Sequence, residues 1–141
     1  VRLSEGFGLE GVVKAQALGR ARAHVEGCFA SFKSDPWPRA LVAVGGSPTA
    51  LVAARLGLDA FDTLRVHGET LELPTVRSWI ERLSRSTVEE RRCLLPATPD
   101  RAETILAGAL VLEGALLRVH RPSLVVSARG LRHALAAGGA V

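Results

Sequence analysis

The sequence holds two cysteines, Cys28 and Cys93, no tyrosine, four phenylalanines and two tryptophans in 141 residues. Two thiols exclude a disulfide framework and a cysteine-built zinc site. So few aromatics mean that the core is aliphatic, made of Leu, Val, Ile and Ala. Lysine is nearly absent, with 16 Arg and 2 Lys carrying the basic charge. Long apolar runs are lacking as well. The start, Val1 to Glu5, offers no stretch for a signal peptide. The most apolar segment, Ile105 to Val119, is too short to cross a membrane and carries Glu113 inside it. These absences predict a cytoplasmic protein with no membrane partner.

Hydrophobic residues make up 48% of the chain and charged residues 23%, the balance of a folded chain rather than a disordered or collagen-like one. The length suits a single domain over residues 1–141, large enough to bury a core. The net charge is +4 and the pI near 10. The arginines are scattered, and Arg91-Arg92 is the only adjacent pair. No basic tail or aromatic interleaving accompanies them, which argues against nucleic acid as the main partner. The chain opens on Val1 rather than Met and closes on Gly138 to Val141, which suits either processing or a fragment of something longer.

Along the chain, residues 1 to 4 read as the end of a strand, followed by a turn at Gly6 and Gly8. From Leu9 to Phe32 the pattern is helical, with Leu18, Ala21, Val25, Cys28, Phe29 and Phe32 in one apolar stripe. On that stripe Cys28 reads as a small buried hydrophobe. The segment Ser34-Asp35-Pro36-Trp37-Pro38 stops the helix. Residues 40–44 are continuously apolar and β-branched, the mark of a strand buried on both faces of a parallel sheet. A helix follows to about Leu56, with Ser47 as its cap and Pro48 at its first position, and Gly57 ends it. Residues 64–73 read as irregular with short extended pieces. Pro74 opens a helix to about Leu83, and a capping box uses either Ser86 with Glu89 or Thr87 with Glu90. Thr98-Pro99-Asp100 starts a long central helix whose face includes Ile105, Leu106, Ala109, Leu110, Leu112, Leu116 and Leu117. Leu124 to Ser127 is a second buried strand, and a last helix runs from Gly130 to about Ala137. The class is α/β, with a small, mostly parallel sheet whose edges are exposed. That narrowness hints at neighbouring strands outside this chain.

Chemistry concentrates at the strand, Gly45-Gly46-Ser47, helix element. Ligands of open α/β sheets bind beyond the carboxyl ends of strands. A helix start offers free N–H groups and the positive end of its dipole. Gly45 and Gly46 let a phosphate approach the backbone, and the Ser47 hydroxyl adds a donor. A tight turn needing glycine only for its dihedrals explains the same residues equally well, since the motif alone is weak. His24, His67, His120 and His133 are isolated and lack a carboxylate or cysteine at metal spacing. His67 reads as structural, holding its loop by a ring hydrogen bond. Glu10, Glu26, Glu81 and Glu113 fall in helices and are expected to face water. Asp100 and Arg101 read as dipole complementation and surface pairing. No nucleophile elbow, paired catalytic carboxylates or Walker loop is present. No catalytic residue and no metal ligand is assigned to this chain.

Taken together, the motifs resemble the carboxyl-terminal part of the second domain of the exopolyphosphatase / guanosine pentaphosphate phosphohydrolase family, within the actin-like ATPase superfamily. Val1 to Glu5 resembles the segment after the family's second phosphate loop. Val42-Ala43-Val44-Gly45-Gly46-Ser47-Pro48-Thr49-Ala50-Leu51 resembles its strand, Gly-Gly-Thr, helix element, with Ser for Thr. Val66-His67-Gly68 is similar to its Val-His-Gly, and Thr87 to Arg91 carries its Glu-Arg pair. Pro99-Asp100-Arg101-Ala102-Glu103 with Gly108 is similar to its Pro-x-Arg-Ala-(Asp/Glu)…Gly signature. Ser127-Ala128-Arg129-Gly130-Leu131-Arg132 is similar to its Ser-x-x-Gly-Leu-Arg ending. Where the family closes with Arg-Glu-Gly, this chain has Arg132-His133-Ala134.

The resemblance implies a ribonuclease-H-like half-domain, a fragment of a two-domain phosphohydrolase lacking its N-terminal domain. It implies hydrolysis of inorganic polyphosphate or guanosine pentaphosphate with Mg2+, between two domains that close on the phosphate chain. The family's phosphate loops and catalytic glutamate all lie upstream of Val1, so the isolated chain is expected to be inactive. Gly45, Gly46 and Ser47 carry over as substrate-binding groups facing the cleft, and the other signature positions as structural. One alternative is a non-catalytic regulatory module that binds phosphate or a nucleotide. Another is a domain serving assembly, as a homodimer for example.

Overall fold

The computed structural model describes residues 2–33, 36 and 38–130. Their elements, in order, are α1 (Arg2–Phe7), α2 (Ala15–Ala30), β1 (Val42–Val44), α3 (Gly46–Arg55), α4 (Thr63–Val66), β2 (Thr70–Glu72), α5 (Leu73–Ser84), α6 (Val88–Leu94), a 3-10 turn (Pro99–Arg101), α7 (Ile105–Arg118) and β3 (Ser123–Ser127). The α/β layout stands. The sheet order is β1-β3-β2, with β3 parallel to β1 and antiparallel to β2. The sheet, expected to be mostly parallel, is therefore mixed. The antiparallel strand comes from within residues 64–73, where Leu71 is fully buried opposite Leu124.

One face of the sheet carries Leu71, Leu124 and Val126 into the core. The other is bare: Val42 is 56% exposed, Val44 55% and Val125 37%. The strand expected to be buried on both faces is thus an edge strand, covered on one side only. A run of apolar residues records that a strand is hydrophobic and does not record what covers it. Among the described residues, nothing pairs with the outer edge of β1.

The amino-terminal reading also changes. Residues 2–7 form α1, not a strand end. Leu3 and Phe7, four apart, pack against the core, and the Phe7 ring meets the His24 ring at a tilt, 5.2 Å between centroids. Gly8 turns the chain at φ 62°, and Leu9, fully buried, returns its N–H to Ser4 O at 2.9 Å. The helix expected from Leu9 begins at Ala15. Its buried stripe is narrow, Ala21 and Val25, so Cys28 and Phe32 are exposed.

Local signals elsewhere behave as physics directs. After α3, Gly57 at φ 65° gives its N–H to Ala54 O, and Leu58 gives its own to Ala53 O, closing a Schellman motif. Of the two capping boxes open in sequence, Thr87 with Glu90 forms. His67 is exposed, and among the described residues its ring makes no hydrogen bond. The loop is held instead by Gly68, at φ 86°, whose N–H meets Val126 O at 2.8 Å.

The central element is α7, which packs on α1, α2, α3 and α5. It begins after the 3-10 turn rather than at Thr98, and Leu117, placed on its inner face, is half exposed. Glu113, expected in water, is buried. Its carboxylate accepts from Arg22 Nε at 2.8 Å and from Arg77 Nε at 3.0 Å. A second buried charge, Arg91, is fully enclosed and donates to the carbonyls of Leu9, Gly11, Leu83 and Ala102. Burial pulls its pKa below the ordinary value, because desolvation penalises the charged form. The four carbonyl dipoles oppose that pull.

The helix expected after Gly130, and the Arg132-His133-Ala134 departure, lie outside the described residues. Among the described residues, no helix is long and apolar enough to cross a membrane.

A candidate anion site at the start of α3

β1 and β3 run parallel with Val44 opposite Ser127, so their carboxyl ends open on the same side of the sheet. There the chain leaves β1 and enters α3 through Gly45. This residue has φ 119°, a conformation that L side chains rarely adopt, so the turn requires glycine. Gly45 is the N-cap and the helix starts at Gly46. The expected cap, Ser47, is the second helical residue, and Pro48 the third. The register moves because Gly45 completes the turn by backbone conformation and needs no side-chain cap.

The first N–H groups of a helix lie ahead of any intrahelical acceptor. In α3 these belong to Gly45, Gly46 and Ser47, because Pro48 has none. All three predicted residues therefore sit at one helix mouth, each bringing a backbone donor. Thr49 turns inward, its Oγ1 donating to Gly45 O at 2.9 Å.

Ser47 differs from expectation in its side chain. A Cβ on Gly108 of α7 would fall 2.0 Å from Ser47 Oγ and 2.3 Å from Ser47 Cβ. The hydroxyl is wedged against α7 rather than aimed at the mouth. What Ser47 offers a ligand is its N–H.

Arg101, expected as a surface-pairing and signature residue of structural role, stands at this mouth. Its guanidinium lies over Gly46, where a Cβ would come within 2.5 Å of Arg101 Cζ. Arg101 is half exposed and reaches Asp100 only loosely, at 3.8 Å. Surface pairing with Asp100 is thus the lesser part of its setting. A cation at a helix amino terminus has the wrong sign for the dipole. Guanidinium, dipole and backbone donors all favour the same thing, an anion between them. No local signal marks Arg101 for this place, since the contact joins residues 55 apart in the chain.

The family-implied magnesium does not fit these residues. Magnesium takes oxygen ligands, usually carboxylates and phosphates. The mouth of α3 presents N–H donors and a guanidinium.

The sequence profile of the Ppx/GppA phosphatase family matches residues 1–138. The chain belongs to that family. Its fold agrees with solved members. It is similar to the type II variant of the Aquifex aeolicus Ppx/GppA phosphatase with a TM-score of 0.90 and 24% identity, covering 99% of this chain and 46% of that one. Another structure of an Aquifex aeolicus Ppx/GppA enzyme aligns with a TM-score of 0.88 at 26% identity, over 96% of this chain and 45% of that one. An exopolyphosphatase from Cytophaga hutchinsonii shares the fold at 17% identity and a TM-score of 0.72, over 96% of this chain and 45% of that one. The chain thus spans less than half the length of the solved relatives it matches. No curated protein matches the chain. Those solved relatives are actin-like ATPase-fold proteins, so the small sheet flanked by helices is part of that architecture.

Proposed function

We propose that the chain forms one wall of the interdomain cleft of a phosphohydrolase. The enzyme cleaves phosphoanhydride bonds of inorganic polyphosphate or guanosine pentaphosphate. The observation that carries this reading is the Arg101 guanidinium standing over the glycine mouth of α3. Backbone N–H groups of Gly45, Gly46 and Ser47 hold phosphate oxygens, and Arg101 neutralises their charge. Charge-assisted donors of this kind stabilise the charge that spreads over a transferring phosphoryl group. The wall binds and orients, while the base that activates water comes from the other domain.

The test is phosphate release from polyphosphate in magnesium buffer. The 141-residue chain is assayed beside the same chain extended upstream to family length. Release is expected from the longer protein alone. In it, Arg101→Ala should lower kcat/KM about 10- to 100-fold, the range of one hydrogen bond to a charged group. Release by the 141-residue chain itself would place the base here and overturn the assignment. If Arg101→Ala leaves kcat/KM unchanged, the anion site is wrong even where the family activity holds. Polyphosphate binding without hydrolysis by the extended protein would favour the regulatory alternative.

A further inference from the structure

A second concave site lies between α2, α5 and the carboxyl-terminal half of α7, a groove of about 650 Å3. Its floor is apolar, with Val25 and Phe29 of α2 facing Leu110 and Leu117 of α7. Gly114 makes the close approach of α2 to α7 work: a Cβ there would come within 2.5 Å of Val25 Cγ1. The volume is that of pockets that enclose small organic ligands.

The rim is cationic by construction. The Glu113 side chain is only 6% exposed, while the two arginines it holds, Arg22 and Arg77, are 42% and 51% exposed. Arg22 donates Nε and Nη2 to the carboxylate, and Arg77 donates Nε. A guanidinium has five N–H donors, so most of the Arg77 fork is left for another acceptor. Arg118 adds a third positive charge, and its Nε donates to Phe32 O, just past the end of α2, at 2.9 Å. Among the described lining residues, these three arginines stand against two carboxylates, Glu26 and Glu113. Glu113 thus fixes two guanidinium groups above an apolar floor.

We propose that this groove binds a small amphipathic anion, with its carboxylate or phosphate head on Arg22 and Arg77 and its apolar body on Phe29 and Leu117. The site is separate from the mouth of α3. Gly108, which meets α3, and Glu113 lie on different faces of α7. The proposal therefore does not depend on the phosphohydrolase reading.

Octanoate, octyl phosphate and octylammonium share one apolar body and differ in the head. Each is titrated into the 15N-labelled chain, and amide shifts are followed by NMR. The two anions should shift Phe29, Gly114 and Leu117 saturably, and whichever binds tighter names the head group. Octylammonium should bind at least about tenfold more weakly, the scale of one charge-assisted contact. Leu117→Glu places a like charge at the groove on a half-exposed residue without touching the ion-pair triad. It should weaken the anions about tenfold or more with thermal stability kept. Arg77→Ala should weaken them as well, at a cost in thermal stability because it removes a partner of the buried Glu113 carboxylate. Equal binding of octylammonium, shifts that centre on the bare valine face of the sheet, or anion affinity unchanged in Leu117→Glu would each overturn the proposal.

Discussion

Arg91→Ala is expected to cost about 3–5 kcal/mol of stability, the scale of several acceptors losing a buried donor together. The cause is what remains behind. The carbonyl oxygens of Leu9, Gly11 and Ala102 lose the guanidinium at once, while Leu83 O keeps the N–H of Ser86. Each buried acceptor left unmet costs roughly 1–3 kcal/mol. A domain of this size has only about 5–15 kcal/mol in total, so the variant sits near the edge of folding. Arg91→Lys should recover little, because an ammonium has three donors and no planar fork to span separate carbonyls. Urea unfolding of the three proteins checks this. An unfolding free energy for Arg91→Ala within about 0.5 kcal/mol of the parent, the usual range of a surface substitution, would show that the clasp is dispensable.

Gly108→Ala should destabilise by about 1–3 kcal/mol, the usual cost of overpacking. The added methyl group meets Ser47 Cβ at 2.3 Å, and α3 and α7 must move apart to admit it. The effect should be specific to that contact. In a Ser47→Gly background the same substitution has room, so a double-mutant cycle by thermal unfolding should show coupling of at least about 1 kcal/mol. Additive losses would mean that the wedge is not what sets the spacing. Because Ser47 N–H belongs to the mouth of α3, the same substitution tests whether α7 holds that mouth in place.

What was legible in sequence is local. Pro74, Gly57 and the Thr87–Glu90 box set their helix ends within a residue or two, because those signals act on neighbouring backbone groups. The glycine turn into α3 was visible for the same reason. Contacts between distant segments were not visible. Glu113 looked like a solvated helix residue until Arg22 and Arg77, 91 and 36 residues away, closed over it. Arg101 reads as a surface residue on its own turn and becomes part of a site only against Gly46. The six-residue α1 has little periodicity to display, and its support comes from packing on α2 and α7. The spacing puts Cys28 on the apolar stripe of α2, but only Ala21 and Val25 of that stripe are buried.

The bare side of the sheet has a consequence for the chain in bulk solution. An edge strand with unpaired main-chain groups is a template for a second copy, and here Val42, Val44 and Val125 lie beside it in water. The opposing force is the net charge of +4, which makes copies repel. That repulsion reaches about 10 Å at 0.1 M salt and about 3 Å at 1 M. The colloidal behaviour of the 141-residue chain is therefore set by ionic strength, with low salt keeping copies apart and high salt letting bare edges meet.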